Sequence, residues 1–209
     1  MAERRDGLHG LLERPALFAA FKRLTGRRDR WGPFVREYIR PRPGDRILDL
    51  GCGVADVLAA LPAVDYLGID ANPEYVAAAA RRHGGRGRFV CARIDQAALD
   101  APASYDLVLG LGVLHHLDDG EALGFLRLAA RALRPGGRLI THDGCFVDGQ
   151  SRLARLLVSW DRGQNVRRAD AYRALALQVF PEVALHVRHD MLRIPYSLAI
   201  LECRAEMAL

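Results

Sequence analysis

Residues 46–56 (RILDLGCGVAD) constrain the fold more strongly than any other stretch of this chain. The apolar run around Asp49 follows the turn signal Pro43-Gly44, which predicts a short, buried parallel strand. Gly51-Cys52-Gly53 then turns into residues 54–61, whose composition predicts a helix. Glycines let a backbone approach a ligand closely, and a helix N-terminus offers unpaired N–H groups. The stretch therefore predicts a nucleotide-binding corner.

A carboxylate further along the chain sharpens this interpretation. The dinucleotide fingerprint G-x-G-x-x-G is absent, because Asp56 stands where the last glycine belongs. Asp70 closes the next apolar run about twenty residues downstream, the spacing at which a carboxylate meets ribose hydroxyls in a βαβ unit. A ribose-containing ligand is therefore expected at this corner.

Four segments together resemble the class I S-adenosylmethionine-dependent methyltransferases of the small-molecule type. They are ILDLGCGVAD at 47–56, YLGIDANPEYV at 66–76, YDLVLGLGVLHHLDD at 105–119 and LRPGGRLITHDG at 133–144. Their order and spacing are highly specific. The resemblance implies a Rossmann-like, doubly wound α/β fold with a seven-stranded sheet, mostly parallel and ending in an antiparallel C-terminal hairpin. It also implies S-adenosylmethionine as the cofactor.

The chain length predicts one domain. Its 209 residues are enough for one α/β domain with a sizeable core and too few for two ordinary ones. We expect a single methyltransferase domain over residues 1–209, with a lid insertion after the fifth strand. Its parts are an N-terminal helical cover at 1–43, a cofactor-binding core at 44–144, a lid and acceptor segment at 145–181 and a strand hairpin at 182–209.

Apolar periodicity predicts two helices in the N-terminal cover, at residues 8–25 and 31–40. By analogy with small-molecule methyltransferases, these helices cover the substrate pocket. The alternative is that they pack as a layer on the sheet edge.

The resemblance also implies which residues bind the methyl donor. The backbone of Gly51 and Gly53 would pack on the methionine moiety and ribose, while Asp70 would hold the ribose diol. Asp49 would either order the glycine turn or bind the ammonium of the donor. The other implied contacts are Cys52, Ala71, Gly110 and Leu111.

The adenine contact departs from the family pattern. The family usually has an acidic residue just after the third strand, and Arg93 stands at that place here. Either Asp95 takes the role after a small shift, or the adenine is held by apolar contacts and the backbone N–H of Ile94.

Methyl transfer from a sulfonium is an in-line substitution, for which the protein mainly aligns the nucleophile and excludes water. A hydroxyl acceptor benefits from a base, whereas an amine or thiolate of suitable pKa needs none. His116, His142 and Asp143 are the catalytic candidates, because they follow the fourth and fifth strands, whose carboxyl ends face the ligand crevice. A purely structural role for His116 stays open.

The polar residues of the lid segment have two interpretations. They either bind a carboxylate or phosphate on the acceptor, or they brace their own loop with ion pairs. These candidates are Asp161, Arg162, Asn165, Arg167 and Tyr172. We predict no metal, because no clustered carboxylates match magnesium-dependent members and the four cysteines have no metal-ligand spacing.

The net charge of +5 raises the question of nucleic acid. Lys22 is the only lysine, and the arginines are densest at Arg23, Arg27, Arg28, Arg30, Arg36, Arg40 and Arg42. Such a cluster either holds phosphate or forms the solvated face of two helices, and the second interpretation is favoured because no aromatic platform accompanies it.

No apolar run approaches the length of a membrane span, and no signal core follows the charged N-terminus. We therefore expect a cytoplasmic monomer or homodimer without a membrane partner.

Four functions fit these observations. The favoured one is methyl transfer to an oxygen or nitrogen of a small-molecule acceptor. The second is RNA methylation through the arginines, although the Asn/Asp-Pro-Pro-Tyr type of motif is missing after the fourth strand. The third is a non-catalytic protein that binds the cofactor as a sensor or scaffold. The fourth uses the sulfonium for another reaction, such as ring closure.

Overall fold

The computed structural model describes residues 31–94, 103–159 and 163–206. The predicted helix at 8–25 and the arginines at 23–30 lie outside these ranges. So do three candidate site residues, Asp95, Asp161 and Arg162.

A single twisted sheet forms the centre of the described structure. Its strands are β1 (Arg46–Leu50), β2 (Asp65–Asp70), β3 (Arg88–Cys91), β4 (Tyr105–Leu111), β5 (Leu133–Phe146), β6 (Arg167–Arg168), β7 (Glu182–Arg188) and β8 (Leu198–Arg204). Seven strands follow the order β3-β2-β1-β4-β5-β8-β7, and the two-residue β6 pairs with the end of β5. Strands β1 to β5 are parallel, while β8 runs antiparallel to β5 and β7. The predicted Rossmann-like sheet with an antiparallel hairpin is confirmed.

The helices lie on both faces of this sheet. They are α1 (Trp31–Phe34), α2 (Pro73–His83), α3 (Asp119–Ala132), α4 (Arg152–Ser159) and α5 (Ala169–Ala176). A π-helical turn, Val35–Ile39, continues α1. None of the helices in the described ranges is long and apolar enough to cross a membrane.

Side-chain caps explain where two of these helices start. The side chain of Asn72 accepts hydrogen bonds from the backbone of Glu74 and Tyr75 at the start of α2. Asp118 and Glu121 form a reciprocal capping box at the start of α3. Such caps satisfy backbone N–H groups that have no partner within the helix.

Strand β1 is buried on both faces, as an inner parallel strand must be. Leu48 and Leu50 pack in the apolar cluster that contains Phe125 of α3. Ile47 packs in the cluster on the opposite face, with Phe34 of α1. Because strands β1 to β5 run parallel, their carboxyl ends meet along one edge of the sheet.

Two segments differ from the sequence-based expectation. The helix predicted at 54–61 is only a 3-10 helix, Asp56–Ala60, because Ala55 stays in the glycine turn with φ +54° and Leu61 is extended before Pro62. The sequence predicts a turn at residues 134–137 and a fifth strand at 138–141, whereas β5 runs from Leu133 to Phe146. The Pro-Gly-Gly segment lies within this strand, and the pairing of β5 with β4 shifts in register there.

An ion-pair cluster fastens the π-helical turn to the sheet. Arg40 donates to both carboxylate oxygens of Glu202 at 2.6 and 2.7 Å. Arg138 donates to Glu202 at 3.2 Å and to the backbone carbonyl of Ile39 at 2.7 Å. Burial raises the pKa of Glu202, but the two guanidinium groups outweigh it and hold the pKa below its usual value.

Candidate active site

The glycine turn after β1 uses its N–H donors within the protein. Gly51 and Cys52 both donate to the carbonyl of Ile69, at 2.7 and 3.0 Å. Gly53 donates to Oδ2 of Asp70 at 2.8 Å. These three N–H groups of the turn are therefore occupied within the protein, and the 3-10 helix that follows has only five residues.

The two glycines of the turn have different surroundings. Both have positive φ, +77° at Gly51 and +54° at Gly53, which favours glycine. A Cβ at Gly51 would lie 2.6 Å from Cγ2 of Val113, whereas a Cβ at Gly53 would meet nothing within 4 Å. Gly51 is thus fixed by packing under the loop after β4, and Gly53 borders space that a ligand can enter.

Asp70 is held at the carboxyl end of β2. Besides the bond from Gly53, its Oδ1 accepts from the backbone N–H of Asn72 at 2.8 Å. A carboxylate offers about four acceptor positions. The two backbone bonds therefore fix the orientation of this carboxylate at the end of β2.

Asp49 is a buried carboxyl group at the bottom of the site. Its exposure is 2%. The hydroxyl of Tyr66 donates to Oδ2 at 2.6 Å, and Oδ1 has no hydrogen-bond partner among the described residues. Burial raises the pKa of Asp49 to about 7; the Tyr66 bond opposes this rise and the charge of Asp70 adds to it. A cationic ligand group would satisfy the unpartnered oxygen.

These groups suit one ligand chemistry and oppose another. The N–H groups of the glycine turn are already hydrogen-bonded, and the carboxylates of Asp49 and Asp70 lie beside it. Such a site repels a pyrophosphate and attracts a positive charge. A ligand with an ammonium, a sulfonium and a ribose diol, such as S-adenosylmethionine, fits Asp49, Gly53 and Asp70.

The other predicted donor contacts lie around the same edge. Cys91 pairs in register with Asp70, and its thiol lies 3.8 Å from the carbonyl of Ala71. Ile94 is half-buried against the core. A Cβ at Gly110 would lie 2.5 Å from Cζ of Phe125, so this glycine makes room for α3.

Two further predicted contacts are Leu111 and Cys52, and both are half-buried. Burial raises the pKa of the Cys52 thiol far above its usual value, so the thiol stays protonated.

A buried histidine–carboxylate pair joins the ends of β4 and β5. Nδ1 of His115 lies 2.8 Å from Oδ1 of Asp143, and the His115 backbone N–H donates to the same oxygen at 3.2 Å. Both residues are buried, with 8% and 2% of their surface exposed. Asp143 therefore orients His115 rather than His116, whose ring stacks at 4.2 Å from that of His115.

His142 and Asp143 point to opposite faces of the sheet, as neighbours on a strand do. The imidazole of His142 lies against two rings of α1, with centroids 6.0 Å from Trp31 and 5.4 Å from Phe34. The structure thus separates two candidates that the sequence places side by side.

The lid residues that the structure describes brace the loop after β4. Arg167 donates to the carbonyls of Leu114 and Leu117 at 2.9 and 2.7 Å, and to Asp119 at 2.7 Å. The Tyr172 hydroxyl accepts from the Arg167 backbone and donates to the carbonyl of Gly144.

Asn165 has the same role. Its backbone N–H donates to the carbonyl of His115 at 3.0 Å. Arg167, Tyr172 and Asn165 thus contact the loop after β4 and strand β5, mostly through backbone groups.

Comparison with known proteins supports the predicted family. The profile of the family described as "Methyltransferase domain" matches residues 48–139, which run from β1 into β5. This domain match and the methyltransferases among the relatives support the predicted class I S-adenosylmethionine-dependent methyltransferase family and, with it, S-adenosylmethionine as the cofactor.

The names of the relatives indicate different acceptors for those proteins. The 27-O-demethylrifamycin SV methyltransferase of Amycolatopsis mediterranei is 37% identical over 119 residues, which are 54% of this chain and 43% of the relative. A probable tRNA methyltransferase 9B of Mus musculus is 29% identical over 134 residues, 62% of this chain and 29% of the relative. The chain thus spans less than half the length of these two relatives.

A solved structure supports the same fold. Phosphoethanolamine N-methyltransferase 2 of Haemonchus contortus, in complex with S-adenosylmethionine, aligns with a TM-score of 0.74 at 15% identity. The alignment covers 97% of this chain and 60% of the other.

Sequence reasoning missed His115 and the aromatic cover of His142. His115 is adjacent to the chosen His116, and only the pairing of β4 with β5 shows that His115 faces Asp143. Trp31 and Phe34 carry no sequence signal for this role. In the described ranges, no three His, Cys, Asp or Glu side chains cluster as a metal site.

Proposed function

We propose that this methyltransferase transfers the methyl group of S-adenosylmethionine to an oxygen or nitrogen of a small molecule. The observation that carries donor binding is the buried Asp49, whose Oδ1 has no partner among the described residues beside the open face of Gly53. Asp49 would pair with the ammonium of the donor, and Asp70 would accept from its ribose diol. The donor supplies a methyl group activated by the positive charge on sulfur.

His142 is our candidate for the base when the acceptor is a hydroxyl. It lies on β5 in register with Leu111, the last residue of β4, which would approach the sulfonium. Its imidazole would take the hydroxyl proton while Trp31 and Phe34 restrict the motion of the ring and exclude water. His116 remains the alternative base. Asp143 would act through His115 by fixing the loop after β4.

Two observations support a small acceptor over RNA. Residues 111–114 (LGVL) replace an Asn/Asp-Pro-Pro-Tyr type of motif after β4. Several described arginines are paired with carboxylates, as Arg40 is with Glu202 and Arg188 is with Glu37 and Asp190. The similarity to a probable tRNA methyltransferase keeps RNA as the second candidate.

The test combines donor binding with acceptor screening. Calorimetry with S-adenosylmethionine should show saturable binding to the purified protein. A radiolabelled methyl donor should then label the metabolite fraction of a cell extract, with or without ribonuclease treatment. Label confined to RNA would support the second candidate. Binding with no label in either fraction would support a non-catalytic protein or another use of the sulfonium. A cytoplasmic location and a monomeric or dimeric state remain predictions.

A further inference from the structure

Helix α4 forms one wall of an open groove beyond the sheet edge. Ala154 and Val158 are buried, and Val158 packs in a small apolar cluster with Tyr196. The opposite face leaves Leu153 and Leu156 exposed by 54% and 43%. The helix is therefore fixed to the domain by one face and presents apolar side chains on the other.

The groove has an apolar floor and a cationic rim. Its volume is about 440 Å³, which is within the range of small-molecule pockets. The lining consists of Phe146 at the end of β5 and four residues of α4, which are Arg152, Arg155, Leu156 and Ser159. The guanidinium of Arg155 lies 5.4 Å from the centroid of the Phe146 ring.

The two arginines form no ion pair within the described ranges. Among those residues neither Arg152 nor Arg155 has a carboxylate within ion-pair distance or a side-chain hydrogen bond, although the charge of Arg155 helps to lower the pKa of Asp148. The nearby Arg167 and Arg168, by contrast, are paired with Asp119 and Asp148. Two available guanidinium groups beside exposed leucines and a phenylalanine match a ligand with an anionic group on an apolar body.

The groove lies within reach of the candidate active site. Phe146 is four residues beyond His142 on β5. At about 3.3 Å per residue, this separation is roughly 13 Å. An elongated molecule bound in the groove would therefore extend to the end of β4, where the donor methyl group is expected.

We propose that this groove binds the acid group and apolar body of the methyl acceptor, which is therefore an elongated amphiphilic carboxylate or a related anion. The inference rests on the proposed methyl transfer to a small molecule. It assigns the acceptor-side anion contact to Arg152 and Arg155, since the donors of Arg167 are already used to brace the loop after β4.

Decanoate, used below its micelle concentration, is a suitable probe because it combines one carboxylate with an apolar chain. Calorimetric titration should show saturable binding to the wild-type protein and at least tenfold weaker binding to the double variant R152Q/R155Q. Leu156→Ala should weaken binding several-fold. Neutral 1-decanol should bind the wild type and the double variant equally, because it lacks the charged group.

Two matched controls separate the groove from general surface effects. Arg127→Gln removes an exposed arginine from α3, and Leu177→Ala truncates an exposed leucine that has the same 43% exposure as Leu156. Both variants should bind decanoate as the wild type does. Equal decanoate binding by the wild type and R152Q/R155Q, or no binding by the wild type, would overturn the inference.

A separate outcome identifies a different occupant. If decanoate does not bind but the protein sediments with phosphatidylglycerol vesicles in an Arg152- and Arg155-dependent way, the groove is a membrane contact and the inference is wrong. Titration of S-adenosylmethionine into each variant reports on the donor site alone. If the wild type does not bind S-adenosylmethionine, the proposed function is contradicted, whereas the proposed binding of an anion in the groove is not.

Discussion

The Tyr66 hydroxyl and the Asp49 carboxylate form a buried 2.6 Å hydrogen bond that leaves one carboxylate oxygen without a partner among the described residues. Burial of an unpaired charge is costly, so Asp49 destabilises the ligand-free protein when it is ionised. The same oxygen is the best-placed group in the described site to receive a cation. We therefore expect a neutral Asp49 to favour stability of the ligand-free protein and an ionised Asp49 to favour donor binding.

Asp49→Asn should make the ligand-free protein more stable at pH 8. The unfolded carboxyl loses its proton near 3.8 and the folded one near 7, so the folded state binds more protons in between. Raising the pH through this window therefore lowers wild-type stability, by at most about 4 kcal/mol at roughly 1.4 kcal/mol per pH unit. Urea unfolding at pH 5 and pH 8 measures the effect, with the exposed Glu74→Gln as control. An equal pH response in wild type and Asp49→Asn would contradict the assignment.

Binding of S-adenosylmethionine should strengthen as the pH rises. A cation at Asp49 requires the ionised carboxylate, and its pKa of about 7 in the free protein means that binding below this pH must first release a proton. The dissociation constant should fall by up to tenfold per pH unit between pH 5.5 and 7, on the order expected for one linked proton. Calorimetry across this range should show the slope in the wild type and none in Asp49→Asn.

Asp70→Ala should abolish measurable donor binding without unfolding the protein. It removes both the proposed diol acceptor and the carboxylate that orients Gly53 and Asn72. Asp65→Ala is the matched control, since Asp65 lies at the other end of the same strand and its carboxylate forms a surface ion pair with Arg46. Its donor affinity should equal that of the wild type. Donor binding by Asp70→Ala at wild-type strength would remove Asp70 from the site.

His142→Ala should spare donor binding and slow methyl transfer to a hydroxyl acceptor. A positioned base contributes about 10²- to 10⁴-fold to such a step. If His142 is the base, kcat of the wild type should fall at low pH as the imidazole is protonated, and this fall should be absent from the pH profile of His142→Ala. Parallel measurement of His116→Ala distinguishes the two candidates. Unchanged turnover in His142→Ala would exclude it as the base.

Arg167→Gln should destabilise the protein by about 2–4 kcal/mol, because it leaves the carbonyls of Leu114 and Leu117 without their side-chain donor. The adjacent Arg168 pairs with Asp148 on the surface, and Arg168→Gln should have no measurable effect on stability. Chemical unfolding of both variants makes the comparison. If the two behave alike, Arg167 does not brace the loop.

The sequence was sufficient to place the proposed donor-binding residues next to one another, because they are close along the chain. Asp49, Gly53 and Asp70 all belong to one βαβ unit, where strand, turn and spacing fix their relative positions. The sheet order followed from the same alternation of apolar runs and helices together with the family resemblance.

The acceptor half depended on pairing between distant segments, which a single sequence does not reveal. His142 and Asp143 are neighbours in the chain, yet strand geometry sends them to opposite faces. Arg167 is a residue type that often binds anions. Only the folded loop shows that its guanidinium N–H groups donate to backbone carbonyls instead. The short 3-10 helix after the glycine turn likewise reflects local backbone geometry at Ala55 rather than composition.

The Cγ2 atom of Val113 occupies the position that a side chain at Gly51 would need. The glycine turn of the proposed donor site is therefore in contact with the loop after β4, which leads toward the acceptor. A larger side chain at residue 113 would push on the glycine turn beneath it, so variants selected for a different acceptor should acquire compensating changes around residue 51. The proposed donor and acceptor sites cannot change independently at this contact.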